Sequence, residues 1–302
     1  MKKSLGAFIF LSILAAPPLL FMQQGHLDVP YVPTRPEVVA KMLDMAHVGK
    51  GDVLYDLGCG AGRIVITAAK LYGTHGIGID INPERIKECN ENAKKEGVTS
   101  VVRFLQQDLF QTDFHEASVV MLYLLSSVNL RLRPILFAQL RPGSRVVSHD
   151  FSMDTWKPDE SAVVEENGRT HEVYFWVIPA NVSGSWGWSW SEGGELVPCR
   201  LDLDQHFQVI SGRLIIGGQA FALINPTVVG DQVEFSVDRE EGGKERRVVL
   251  TGRVVRGTME GTVAVQGAGK PSQKPWKAER NPITMKPIDS DSPNRVFPVG
   301  RG

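Results

Sequence analysis

Cysteine is scarce in this chain. Cys59, Cys89 and Cys199 are the only three among 302 residues, and no C-x-x-C pair occurs. A disulfide framework is excluded, and all three read as free thiols, which favours a reducing compartment or a cysteine-poor exported chain. An excess of charge of one sign is lacking too: 33 Lys and Arg against 34 Asp and Glu leave a net charge of -1. That removes any global pull toward nucleic acid or anionic lipid, so no nucleic-acid partner is expected. There is no repeat array and no low-complexity tract, and no metal site is read. What remains is an ordinary globular composition, 42% hydrophobic and 22% charged, long enough for about two domains at one per ~150 residues.

The N-terminus stands apart. Lys2 and Lys3 precede an apolar run from Leu5 to Met22, broken by Ser12 and the pair Pro17-Pro18. This is the layout of a secretory signal or a membrane anchor. Cleavage near Ala15-Ala16 is disfavoured, because Leu14 occupies a position that wants a small residue and Pro17 would follow the cut. An uncleaved anchor within residues 1–24 is therefore expected, of about 18 residues, the short end for a span; export after cleavage is the alternative. The positive-inside rule would then leave the rest of the chain outside the cytoplasm.

A proline-punctuated linker, His26 to Pro36, leads into an alternation of short apolar runs and helical patterns. Helices are expected over 37–46, 62–71, 83–96 and 130–140, and strands over 53–57, 77–80, 101–106, 118–123 and 145–149. Such alternation implies an α/β fold, with a mostly parallel sheet covered by helices on both faces. Runs at 162–165 and 172–179, split by Asn167-Gly168, read as a final antiparallel hairpin. From Val182 helical periodicity disappears, and short runs at 201–203, 207–210, 214–216, 232–237, 247–254 and 259–265, between glycine-rich turns, read as a small all-β barrel or sandwich. Trp186, Trp188 and Trp190 alternate, so all three should share one face of a strand, in a barrel core or an aromatic surface. The expected division is 25–181 for the first domain, 182–281 for the β-domain and 282–302 for a disordered tail.

The stretch Asp56-Leu57-Gly58-Cys59-Gly60-Ala61-Gly62 falls where the first strand turns into a helix, at the sheet edge where such folds bind ligands. Three glycines in five positions imply that something approaches the backbone closely. A dinucleotide site wants G-x-G-x-x-G. Here the spacing is G-x-G-x-G, and Asp56 would repel a pyrophosphate. The acid suits a ligand with an ammonium or sulfonium end, and S-adenosylmethionine has both. Asp80 ends the second strand, placed for two ribose hydroxyls. Asp108 follows the third, where it or its neighbouring amides can meet the adenine amine.

On these residues the chain resembles the class I S-adenosylmethionine-dependent methyltransferases, over about residues 28 to 180. "DVLYDLGCGAGRI", "GIGIDINPERI" and "RFLQQDLF" look like the first three motifs of that family. The "VPYVPT" lead-in and the "RVVSHDF" strand are similar to two groups within it. These are the ATP synthase c-subunit lysine methyltransferases and the disruptor-of-telomeric-silencing histone lysine methyltransferases. The resemblance implies a Rossmann-like sheet, S-adenosylmethionine as cofactor and a protein lysine as acceptor. It also implies that Tyr31 and Thr34 pack over the methionine end of the cofactor. Tyr123-Leu124-Leu125-Ser126 lacks the Asn/Asp-Pro-Pro-Tyr element of enzymes acting on adenine or glutamine.

The expected cofactor residues are thus Tyr31, Thr34, Asp56, Gly58, Gly60, Gly62, Asp80 and Asp108. Tyr123 reads as core-rim rather than catalytic, and His149 and Asp150 as solvated strand-end groups, with lining of the acceptor site as the alternative. A lysine acceptor must lose its proton, from a reference pKa of about 10.4, and the sequence names no base for it. Two rival readings are a small-molecule or lipid methyltransferase, which an anchor and a barrel would suit, and a non-catalytic binding module on the same scaffold.

Overall fold

The structure, a computed structural model, describes residues 31–192, 194–241, 243–266 and 273–290. The expected anchor over 1–24 lies outside them. Among the described residues no helix is long and apolar enough to cross a membrane.

The first half is built from α1 (Pro36–Met45), β1 (Val53–Leu57), α2 (Arg63–Tyr72), β2 (His75–Asp80), α3 (Pro83–Lys95), β3 (Val102–Gln106), β4 (Val119–Leu122), α4 (Ser126–Gln139), β5 (Arg145–His149), β6 (Glu160–Glu166) and β7 (Arg169–Val177). Proline begins α1 and α3, where its missing N–H costs nothing. Asn82 caps α3 by accepting the Glu84 N–H at 2.9 Å, so Asp80 is freed from that duty. The helix expected at 130–140 starts earlier, at Ser126, and continues through Pro134.

The sheet order is β3-β2-β1-β4-β5-β7-β6. β1 to β5 run parallel, and β7 turns antiparallel to β5. Asn167 (φ 51°) and Gly168 (φ 73°) make the tight β6–β7 turn. This is a Rossmann-like arrangement. Chain order reverses between β1 and β4, so a crevice opens beyond their carboxyl ends.

The second half forms one nine-stranded antiparallel sheet. Its strands are β8 (Gly184–Glu192), β9 (Glu195–His206), β10 (Val209–Ile216), β11 (Gln219–Ala222), β12 (Ile224–Val229), β13 (Gln232–Glu241), β14 (Lys244–Val255), β15 (Thr258–Gln266) and β16 (Gln273–Arg280). The order is β11-β10-β9-β8-β16-β15-β14-β13-β12, and the sheet curls until β10 approaches β12. The result is barrel-like, filled by Leu201, Leu214, Val237, Leu250 and Met259. Trp186 is buried in that core, with Trp188 and Trp190 packed against it, so the alternating tryptophans face inward.

The two halves share more than a linker. Phe207, at the β9–β10 turn, holds a left-handed φ of 54° and packs against the contacting pair Phe137 and Trp156 of the first half. A bulky residue keeps that conformation only where packing enforces it. Residues 282–290, expected as disordered tail, are docked instead. Ile288 O accepts the Phe207 N–H at 3.2 Å, and Asp289 forms a buried ion pair with Arg133 of α4. The apolar Ile288 and the anionic Asp289 find complementary sites far back in the chain, Arg133 lying 156 positions before Asp289, which local composition could not reveal. Residues 291–302 lie outside the described part.

Candidate cofactor site

At the carboxyl ends of β1, β2 and β4 a cavity is lined by Tyr31, Thr34, Asp56, Gly58, Gly60, Asp80, Asp108 and Tyr123, among others. Seven of the eight residues expected from sequence therefore meet at one place. Gly62 does not line it. It caps α2 at φ 77°, and a side chain there would collide with Phe104 at 2.8 Å.

The glycines answer to the protein itself. All three have positive φ, and a Cβ at Gly58 would lie 2.8 Å from Leu124 Cδ2. At Gly60 it would lie 2.5 Å from Tyr31 Cε2. Close approach is real, but the approaching groups are side chains of the same chain. The loop is held from both sides: Gly58 and Cys59 donate to Ile79 O at 2.8 and 2.9 Å, and Gly60 donates to Asp80 Oδ2 at 3.0 Å. Cys89 Sγ donates to Gly60 O at 3.0 Å and sits 3.8 Å from Cys59 Sγ, so two thiols distant in sequence are neighbours.

The acids differ in what they already hold. Asp80 Oδ1 accepts the Asn82 N–H at 2.9 Å while Oδ2 steadies the glycine loop. Asp108 is a turn residue as well as a lining one, since its carboxylate accepts from Phe110 N–H at 2.9 Å and Gln111 Nε2 at 3.1 Å. Asp56 is 4% exposed, and its carboxylate has no hydrogen-bond partner among the described residues. Burial, reinforced by the Asp80 charge, pushes its pKa up to about 8.

The lead-in segment forms the opposite wall. Tyr31 lies between Gly60 and the Arg85 guanidinium, 4.5 Å from its ring centroid. Arg63 Nη1 donates to Thr34 O at 2.6 Å, which pins the segment to α2. Thr34 Oγ1 in turn lies 3.4 Å from His149 Nδ1. Tyr123 stacks on His149, with centroids 3.8 Å apart. His149 is 1% exposed, which corrects its reading as a solvated strand-end group. Burial lowers its pKa to about 4, opposed by Asp150 and aided by His171. His171 was not singled out in the sequence. The hairpin register held the signal, since β7 returns beside β5 and period two places His171 on the face of His149.

A family model described as the ANTKMT methyltransferase domain matches residues 56–160. Over 151 residues the chain is 47% identical to a protein-lysine N-methyltransferase of Saccharolobus islandicus, covering 50% of this chain and 94% of that protein. Over 131 residues it is 31% identical to the ATP synthase c-subunit lysine N-methyltransferase of Homo sapiens, 43% of this chain and 55% of that one. A crystal structure described as an RNA methyltransferase from Salinibacter ruber, in complex with S-adenosyl-L-homocysteine, is 54% identical. It aligns over 48% of this chain and 93% of that one, with a TM-score of 0.46.

Proposed function

This chain belongs to the class I S-adenosylmethionine-dependent methyltransferases, and from that premise we propose that it methylates the ε-amine of a protein lysine. The observation that carries the cofactor assignment is Asp56. A buried carboxylate without a partner is costly, and a cationic ligand in the cavity it lines supplies the missing counter-charge. When bound, S-adenosylmethionine supplies a methyl group already activated on a sulfonium, so transfer mainly needs positioning.

The residues divide that task. Asp56 faces the ammonium and sulfonium end, and Asp80 keeps lone pairs for the ribose hydroxyls after serving two amides. The turn at Asp108 offers its amides and carboxylate to the adenine. Tyr31 and Thr34 cover the methionine end, held in place through Arg85 and Arg63. Tyr123, Leu124 and Val128 give the cavity an apolar side, where desolvation lowers the pKa of an entering lysine and favours its neutral form. The 47% identity with a protein-lysine enzyme supports lysine as the acceptor.

The test uses the purified chain with methyl-labelled cofactor and separate protein, RNA and lipid fractions of a cell extract. Label recovered as methyl-lysine after hydrolysis of the protein fraction is the expected result. Label confined to RNA or lipid would overturn the lysine reading and leave the cofactor assignment standing.

A further inference from the structure

Behind the wall formed by Thr34 and Tyr123, three side chains converge. His149 Nε2 lies 3.0 Å from His171 Nδ1 and 3.2 Å from Asp150 Oδ2, and His171 Nδ1 lies 3.3 Å from the same oxygen. We propose that His149, Asp150 and His171 form a binding site for a divalent transition metal, with zinc the best match.

Hydrogen bonding serves this triangle poorly. One N–H can lie along only one edge, which leaves another edge with lone pairs face to face. Turning a proton inward from both rings lets both donate to Asp150 Oδ2, but only at 3.2 and 3.3 Å, and it crowds the two N–H groups with their nitrogens 3.0 Å apart. A cation at the centre satisfies all three atoms at once. The size also fits: tetrahedral ligands 2.0–2.1 Å from zinc stand about 3.3 Å from one another. Two imidazoles and a carboxylate are ligands that zinc accepts.

The surroundings aim the ligands. Asp150 adopts φ 59°, and its N–H donates to Glu172 O at 2.7 Å while Oδ1 accepts the Glu172 N–H at 2.9 Å. One carboxylate oxygen is thereby occupied, and the other is turned toward the two rings. Thr34 Oγ1 stands 3.4 Å from His149 Nδ1, an outer partner for the nitrogen that does not ligate. Stacking on Tyr123 fixes the plane of the His149 ring. The Asp150 side chain is 29% exposed, so the site is open to solvent for metal entry and for a fourth ligand.

The test is a titration of tag-free, chelator-stripped full chain with zinc chloride, in competition with a chromophoric chelator. A parallel titration with cobalt(II) reads visible d–d absorption. The expected result is one saturable site per chain. Asp150→Asn and His171→Ala should each weaken it by more than about tenfold, the loss that removing even an outer partner can cause. His115→Ala, at the exposed pair His115–Asp113, should leave it unchanged. Asn tolerates the left-handed backbone at position 150 and is nearly isosteric, so that variant keeps the fold, as an unchanged thermal melt would show. No saturable binding by the wild-type chain, or binding unaltered in both ligand variants, would overturn the proposal.

Discussion

The Tyr31 ring occupies the space into which a side chain at Gly60 would grow, its Cε2 atom 2.5 Å from that Cβ position. Gly60 also has φ 53°. Gly60→Ala should therefore cost about 1–2 kcal/mol from the left-handed backbone alone, with a further loss from displacing Tyr31. Adding Tyr31→Ala should recover the second part and not the first. Thermal melts of the single and double variants separate the two, and equal stabilities would show that the ring is not in the way.

Asp56→Asn keeps shape and removes charge. Affinity for S-adenosylmethionine should fall by about 1.5–3 kcal/mol, the range for hydrogen bonds to charged groups. S-adenosylhomocysteine, which lacks the sulfonium charge, should suffer less, and adenosine least. Calorimetry with the three ligands gives the order. Equal losses would mean that Asp56 acts by shaping the turn.

The same carboxyl predicts a pH dependence. Its pKa is raised from the ordinary 3.8 to about 8 in the folded chain. Between those values the folded state holds a proton that the unfolded state has released. The associated stability is complete below about 3.8 and is lost as pH rises through about 8. A cationic ligand selects the charged carboxylate, so at pH 6–7 binding should expel about one proton, and affinity should rise toward pH 8. Calorimetry in buffers of different ionisation enthalpy measures that proton, and Asp56→Asn should abolish it.

Arg133 and Asp289 meet in a two-pronged ion pair, at 2.8 and 3.1 Å, with both side chains 5% exposed. Asp289→Ala strands a buried guanidinium and should destabilise the chain by about 3–5 kcal/mol. Denaturant unfolding monitored by tryptophan fluorescence reads this directly. A change under about 1 kcal/mol, the level of an exposed pair, would mean that the segment carrying Asp289 is loosely held in solution.

Local chemistry made the first half legible. Strand and helix periods, proline at the helix starts and acids behind the glycines together located the cavity and all but one of its expected residues. Gly62 looked the same as Gly58 and Gly60 in sequence, because spacing shows that a close approach occurs and not from which direction. The groups that escaped are set by long-range pairing. His171 joins His149 through strand register, and Cys89 joins Cys59 across a helix and a strand. The β-domain was readable as a class and in part strand by strand, since the runs 214–216, 232–237, 247–254 and 259–265 fall within β10, β13, β14 and β15, while strand lengths were not legible. β9 runs from Glu195 to His206 although only Leu201–Leu203 stood out, since exposed faces of antiparallel strands carry polar residues that resemble turns. Phe207–Ile210 straddles a turn because the buried Phe207 there packs on the other domain.

The strap that ends at Asp289 sets an order of events during synthesis. A ribosome adding roughly 5–20 residues per second completes Arg133 about 8–30 seconds before the carboxylate that neutralises it, 156 positions later. Throughout that interval the nascent first domain carries an unmatched cation on α4 and an open slot where Phe207 and Ile288 will sit. The part of its core under α4 closes only when the barrel has been made and the chain has come back across it. The cluster beneath α1, α2 and α3 needs nothing from beyond Val177, so translation that stalls within the barrel leaves one face of the first domain open.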